Sequence, residues 1–263
     1  MSTAKIKWLG SMELDSVEVD VGTNSIVVDG NARCAKEHAM DIPISGTLYG
    51  TLLNYQGALK RMGDAVYETP YNSPPAAPVL YIKPLNTFNR NGAGIPMPTD
   101  ESTLEMGAAL GIVMASTAVA LTEDTAMDHV AGFTIVNDVS IPHDSVFRPA
   151  VQHKARDGFC PVGPWIINRE DVVDPDNLAI RVFINNELRQ ENSTKNLIRP
   201  IARLLSDVTE FMTLRQGDVL LAGVPEDAPL ARVGDSVRIE ISEIGTLENV
   251  VIDEKTFIRR ETL

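Results

Sequence analysis

The chain has 263 residues, enough to bury one sizeable core, and its formal net charge of -13 argues against nucleic acid or an anionic membrane surface as a partner. An acidic substrate would gain nothing from that global field, so its capture calls for a local cluster of cations. The two cysteines, Cys34 and Cys160, lack C-x-x-C spacing and fit a reducing compartment without structural zinc.

The N-terminal stretch has no apolar core of a secretory signal and no apolar run reaches membrane-spanning length, so the expectation is a soluble, cytoplasmic protein. Residues 1–44 read as a small β region. Val17, Val19 and Val21 alternate with acids, Gly22 to Asn24 turns, and Ile26 to Val28 returns. His38 reads as an exposed bystander. The larger unit, residues 45–263, opens with a strand from Leu48 that gives way to a helix, with Leu52, Leu59 and Met62 as inward candidates. Tyr71 to Pro78 is too proline-rich for helix or central strand, Val79 to Ile82 forms a short strand ending at Lys83-Pro84, and Gly92 to Pro98 reads as loop.

Leu104 to Met114 reads as one strand, weakened by Gly107 and Gly111. Thr122 suits a helix N-cap, Glu123 and Asp124 suit the positive end of the dipole, and Gly132 suits a position past the C-terminus. In that helix Met127 and Val130 are the core candidates and His129 faces out. Leu178 to Gln190 reads as a hairpin turning at Asn185-Asn186, because asparagine tolerates positive φ. Asn196 to Leu214 carries Leu197, Ile201, Leu204, Leu205, Val208, Phe211 and Met212 at helical spacing, a core stripe. Strands follow at Val219 to Leu221, around Val237, Ile239 and Ile241, and from Leu247 to Ile252. Many short strands with two main helices predict a β-rich α+β fold.

The chemistry concentrates between Gly132 and Pro164. An apolar run, Phe133 to Val136, ends at Asn137-Asp138 and places a carboxylate at a strand exit. A loop broken by Pro142 and Pro149 carries His143, Asp144 and Arg148, and His153, Lys154, Arg156 and Asp157 lead into a turn at Gly158. Charge beside glycines and apolar walls marks a site, and the plain alternative is a solvated charge run on a surface loop. Asp157-Gly158 reads as a turn former, His153 as the neighbour of Lys154 on a strand facing the opposite way, and Cys160 as buried and inert.

At these residues the chain resembles the fumarylacetoacetate hydrolase family. The resemblance rests on Asn137-Asp138-Val139-Ser140, Phe147-Arg148-Pro149 and Lys154-x-Arg156-Asp157-Gly158-Phe159, in order, and covers residues 45 to 253. It is nearest to members that decarboxylate and isomerise unsaturated keto-polycarboxylates in 4-hydroxyphenylacetate (homoprotocatechuate) catabolism. Those members have two homologous halves, and this chain is more similar to the first.

The resemblance implies a mixed β-sandwich roll, usually dimeric. It also implies a keto acid or its enol chelated to Mg²⁺ or Mn²⁺ by a Glu-x-Glu pair and a further Asp, with the metal as Lewis acid. Carried over, Asp138 matches the third metal ligand and Lys154 the site lysine, here taken as both catalytic and substrate-binding. Arg148 falls in the family's Arg-Pro pair as a substrate clamp, open also to pairing with Asp144 or Asp157, and Gly223 marks the substrate-binding Gly-x-Pro segment. The Glu-x-Glu positions are Gly107 and Ala109, with Glu105 two residues away. The water-activating His and Glu are Ala58 and Arg61 after Asn54-Tyr55, and the threonine of the family's Gly-Thr-Pro is Val224. The resemblance thus implies a decarboxylase/isomerase for a small anionic keto acid, as a homodimer or as a hetero-oligomer with an intact homologous subunit. The alternatives are a degenerate non-catalytic partner of such a subunit and an acylpyruvate-type hydrolase.

Overall fold

Asp138 sits where a large sheet runs out, and the chain reaches that point through strands far apart in sequence. The structure is a computed structural model and describes residues 1–28, 30–35, 38–143 and 150–261. Strands β1 (Ser2–Ile6), β2 (Asp15–Asp20), β3 (Ser25–Val28) and β4 (Asn31–Cys34) form an antiparallel meander. Then follow β5 (Leu48–Leu52), α1 (Gln56–Met62), β6 (Val79–Lys83), β7 (Phe88–Arg90), β8 (Gly94–Met97), β9 (Leu104–Glu105) and β10 (Ala108–Met114). Next come α2 (Glu123–Ala126), β11 (Val130–Asn137), α3 (Val151–Lys154), β12 (Cys160–Asn168), β13 (Ala179–Ile184) and β14 (Glu187–Ser193). The chain closes with α4 (Ile201–Thr209), β15 (Val219–Leu221), β16 (Leu230–Ala231), β17 (Ser236–Ile241), β18 (Gly245–Asp253) and α5 (Glu254–Glu261).

Among the described residues, eleven strands join one mixed sheet in the order β4-β3-β2-β1-β12-β11-β10-β15-β5-β6, with β7 also on β12. Five more form a second sheet, β14-β13-β17-β18-β8. This is the β-rich α+β architecture expected. Through β1 on β12, the N-terminal strands continue the large sheet.

The centre of the large sheet is β10, a run of seven buried residues without polar alternation, as a strand covered on both faces requires. Ala108, Leu110, Ile112 and Met114 join the main core with Ile180, Val182, Val237 and Ile239 of the second sheet. Ala109 and Val113 join a smaller cluster with Leu48, Val136, Cys160 and Leu221. The candidate site lies at the end of that smaller face. No helix among the described residues is long and apolar enough to cross a membrane.

Several elements differ from expectation for identifiable reasons. The strand expected over Leu104 to Met114 is two, β9 and β10. At the break Met106 N donates to Pro229 O (2.9 Å), and Gly107 O accepts from Asp138 N (2.8 Å). Gly132 lies inside β11, where a Cβ would overlap Ile167 O, so strand approach and not a helix end selects glycine. The expected loop from Gly92 to Pro98 contains β8, an edge strand paired only with β18, where Pro96 costs no ladder bond on its open side.

The stripe from Asn196 to Leu214 is helical only over α4. Pro200 precedes its first turn, Leu197 is buried from an extended segment, and Phe211 is 62% exposed. His38 is half-buried, its ring 5.6 Å from that of Trp8, and is no bystander. His129 is half-buried too, with Nδ1 2.9 Å from Ser116 Oγ. The Asn185-Asn186 hairpin forms as expected, with φ of 53° and 64°.

Candidate functional site

Strand β11 is buried at every position but Ala131 and delivers Asp138 into the interior, where its side chain has no solvent exposure. The backbone there is pinned on two sides, by Asp138 N to Gly107 O and by Val139 N to Phe159 O (3.1 Å). An isolated buried carboxylate is costly, and here it is paired. Lys154 Nζ donates to Oδ2 at 2.7 Å, and Tyr81 Oη donates to the same oxygen at 2.5 Å. Lys83 Nζ stands 3.1 Å from Oδ1 as an ion pair.

Tyr81 and Lys83 occupy alternate positions of β6 and so share one face of the strand. Gly50, opposite Tyr81 on β5, leaves room for the ring. Lys83 is fully buried and donates to Lys154 O (2.6 Å) and Val139 O (3.1 Å). Lys154 ends the single helical turn α3, and its ammonium also lies 5.2 Å from the centre of the Tyr81 ring. Its side chain is 15% exposed, whereas those of Lys83 and Asp138 are sealed.

Burial acts against the Asp138 carboxylate, but the Lys154 and Lys83 charges and the Lys154 and Tyr81 hydrogen bonds outweigh it and hold the carboxyl well below its usual range. Burial and the adjacent Asp138 charge push the Tyr81 phenol well above its ordinary value, so it serves as a donor. Burial lowers the Lys83 ammonium, with Asp138 opposing that shift. Cys160, buried nearby, is pushed up by burial to about 12, which leaves its thiol inert at neutral pH.

Of the residues singled out in the sequence, Asp138 and Lys154 are brought into direct contact. Gly223 has φ 131°, and a Cβ there would meet Asn54 Cβ and the Tyr55 ring at 3.3 Å. Arg148, with Asp144, lies outside the described residues. His153 is on α3 and not on a strand, because the chain turns helically after Ala150, and its ring stacks on that of His143 at 5.0 Å. Asp157 Oδ1 accepts from Asn86 Nδ2 (2.6 Å) beside Gly158 at φ 71°, the geometry of a turn.

Tyr81 and Lys83 belong to the site, and motif and spacing alone miss them. The signal lies in the alternation of Tyr81 and Lys83 on an otherwise apolar strand, with a lysine placed just before a proline.

The residues do not fit the Mg²⁺ or Mn²⁺ that the resemblance implies, with Asp138 as its ligand. A hard cation takes several carboxylate oxygens, whereas Asp138 Oδ2 already accepts two bonds and Oδ1 faces an ammonium. At Gly107 a Cβ would stand 2.5 Å from Asp138 O and 3.3 Å from Val224 Cγ1, so the backbone has closed the space of one ligand. Ala109 is buried in the apolar cluster with Val136 and Cys160. The backbone of Glu105 pairs with that of Ser140, and Glu105 lines an open cleft of about 800 Å³ with Arg61, Pro142 and Arg189. Among the described residues no three His, Cys, Asp or Glu side chains are grouped to hold an ion.

Comparison with known proteins agrees with this placement in the fold. Residues 47–252 match the family described as Fumarylacetoacetate (FAA) hydrolase C-terminal. The chain is 38% identical over 219 residues to the 4-hydroxyphenylacetate degradation bifunctional isomerase/decarboxylase of Salmonella dublin, a match covering 83% of this chain and 50% of that protein. The chain thus spans about half the length of that relative. The structure of 5-carboxymethyl-2-hydroxymuconate delta-isomerase from Mycobacterium smegmatis superposes with a TM-score of 0.72 at 27% identity, covering 96% of this chain and 99% of that one. That of 2-hydroxyhepta-2,4-diene-1,7-dioate isomerase from Mycobacterium marinum gives 0.74 at 25% identity, with 97% and 99% covered. The roll is therefore the one these enzymes share, and the chain belongs to the fumarylacetoacetate hydrolase family.

Proposed function

We propose that the chain acts on an unsaturated keto-polycarboxylate of aromatic-acid catabolism, by decarboxylation or by ketonisation of a dienol, without hydrolytic water. The observation that carries this reading is the buried Asp138 carboxylate shared by Lys154 and Tyr81, with Lys154 reaching solvent. With Lys83 charged, two ammonium groups and one carboxylate leave the cluster net positive, the local attraction that an anionic substrate needs against a chain of net charge -13. The substrate classes in the names of the similar isomerases support the same reading.

Lys154 would bind the keto-acid oxygens and stabilise charge developing on the enolate oxygen, with Tyr81 and Asp138 fixing the ammonium. In ketonisation the enol oxygen loses its proton and the carbon at the far end of the conjugated dienol gains one. In decarboxylation the C–C bonding pair stays on the organic fragment as an enolate, CO₂ leaves, and a proton is taken up. Neither route requires an activated water. Hydrolysis is disfavoured because Ala58 replaces the family's histidine and Arg61 is paired with Asp227.

A second reading, a non-catalytic partner of an intact homologue, is favoured by the closed space at Gly107. The test is absorbance of 2-hydroxyhepta-2,4-diene-1,7-dioate with the pure chain, alone and mixed with an intact homologous subunit. Dienol decay above the buffer rate that disappears in Lys154→Ala supports the first reading. No decay with the pure chain overturns the first reading, and decay in the mixture faster than with the homologous subunit alone supports the second.

A further inference from the structure

The cradle around Lys83 Nζ has the make-up of a small cation site. Lys154 O lies at 2.6 Å, Val139 O at 3.1 Å and Asp138 Oδ1 at 3.1 Å, and the side chain has no solvent exposure. An ammonium carries three protons and no lone pair; two of these contacts are hydrogen bonds, to the carbonyls of Lys154 and Val139, and the third is the ion pair with Asp138 Oδ1. A neutral amine would turn its lone pair toward one of them. The oxygens come from the residues just past β11 and from the last residue of α3, so the group at their centre ties together the two segments that present Asp138 and Lys154. This is also the region where the donor set rejects a divalent metal.

We propose that Lys83 is a positioning residue acting as a tethered cation: it takes the place of a dissociable metal beside Asp138 and fixes the end of α3 so that Lys154 Nζ faces the ligand. The inference rests on the function proposed above only in treating Lys154 as the ligand contact. The cradle itself is independent of that reading. The site then assembles without added metal.

Two variants test this. Lys83→Met keeps the bulk and removes the charge, and Lys83→Ala opens a cavity bordered by the three oxygens. Both should unfold at a temperature lower by about 10 °C, since buried Asp138 Oδ1 and two carbonyls lose their ammonium while Lys154 and Tyr81 hold only Oδ2. Methylammonium chloride should restore most of that loss in Lys83→Ala and none in Lys83→Met, while tetramethylammonium and Mg²⁺ restore neither. A Lys83→Met protein as stable as the native one, or rescue of Lys83→Ala by Mg²⁺ in place of methylammonium, overturns the proposal. If neither variant folds, the native protein decides. Its ¹⁵N lysine side-chain spectrum at neutral pH should hold a slowly exchanging ammonium with cross-peaks to Val139, which Lys83 Nζ contacts; these separate it from the Lys154 ammonium over Tyr81. Mn²⁺ titration by electron paramagnetic resonance should show no stoichiometric binding. A neutral amine there, or one bound Mn²⁺ per chain, overturns it as well. None of these readouts involves turnover, so failure of the keto-acid reading would leave them unchanged.

Discussion

Gly50 lies directly under Tyr81: a Cβ built at Gly50 would overlap Tyr81 Cζ, across the β5–β6 pair. The ring can reach Asp138 Oδ2 because the opposing residue has no side chain. Gly50→Ala should therefore tilt the ring, break that hydrogen bond and cost about 1–3 kcal/mol as overpacking. Urea unfolding measures the loss, and near-ultraviolet circular dichroism reports the altered tyrosine environment. A variant with native stability and an unchanged tyrosine spectrum would show that the strand pair yields without moving Tyr81.

Asp138 ties stability to pH with a definite sign. Its native carboxyl is held well below the ordinary range, burial being outweighed by Lys154, Lys83 and the hydrogen bonds. A lowered native pKa stabilises fully above the unfolded value of about 3.9 and is lost as pH falls below it. Asp138→Asn should lose about 3–5 kcal/mol at neutral pH, because it leaves buried ammonium groups unpaired. The gap between native protein and variant should narrow on acidification below about pH 4. Denaturant titrations across that range that found a constant gap would remove Asp138 as the source of the acid limb.

How much the sequence made legible depended on how local the cause was. The apolar run ending at Asp138 and the Asn185-Asn186 turn are set within a few residues, and both stand as read. The pairing of Tyr81 and Lys83 with Asp138 spans 57 and 55 positions and depends on sheet order, which periodicity does not report. Pro96 disguised β8 because proline counts against a strand except at an open edge. At the break between β9 and β10, Met106 N turns to Pro229 O, a tertiary bond invisible to a count of alternating residues. A helical stripe through Phe211 overran α4 because hydrophobic spacing continues beyond the backbone geometry that Pro200 begins.

Lys154 is the cation of the cluster that reaches solvent, and a ligand carboxylate would find it first. Lys154→Ala should weaken binding of oxalate or pyruvate by about 1–3 kcal/mol, the worth of a charged hydrogen bond. Lys154→Arg should keep part of the affinity, since charge survives while the single-point geometry does not. Titration calorimetry gives both values, and unchanged affinity in Lys154→Ala would assign the lysine to structure alone.

Gly107 decides whether the missing carboxylates can be put back. The family's pair would place Glu at 107 and 109, but a Cβ at 107 meets Asp138 O at 2.5 Å, and backbone cannot swing aside as a long side chain can. Retaining the 2.8 Å bond from Asp138 N to Gly107 O and accommodating a Cβ are incompatible without a shift of one strand end. Gly107→Ala alone should therefore cost about 1–3 kcal/mol. Gly107→Glu with Ala109→Glu should lose more, because two further carboxylates enter a buried region whose cations are already paired. The double variant gains Mn²⁺ affinity only if Lys83 and Lys154 release Asp138, so calorimetry without such release should detect no tight site. Stoichiometric Mn²⁺ binding by a stable double variant would mean that this strand end moves freely, and that the closed backbone at Gly107 is no barrier to a metal.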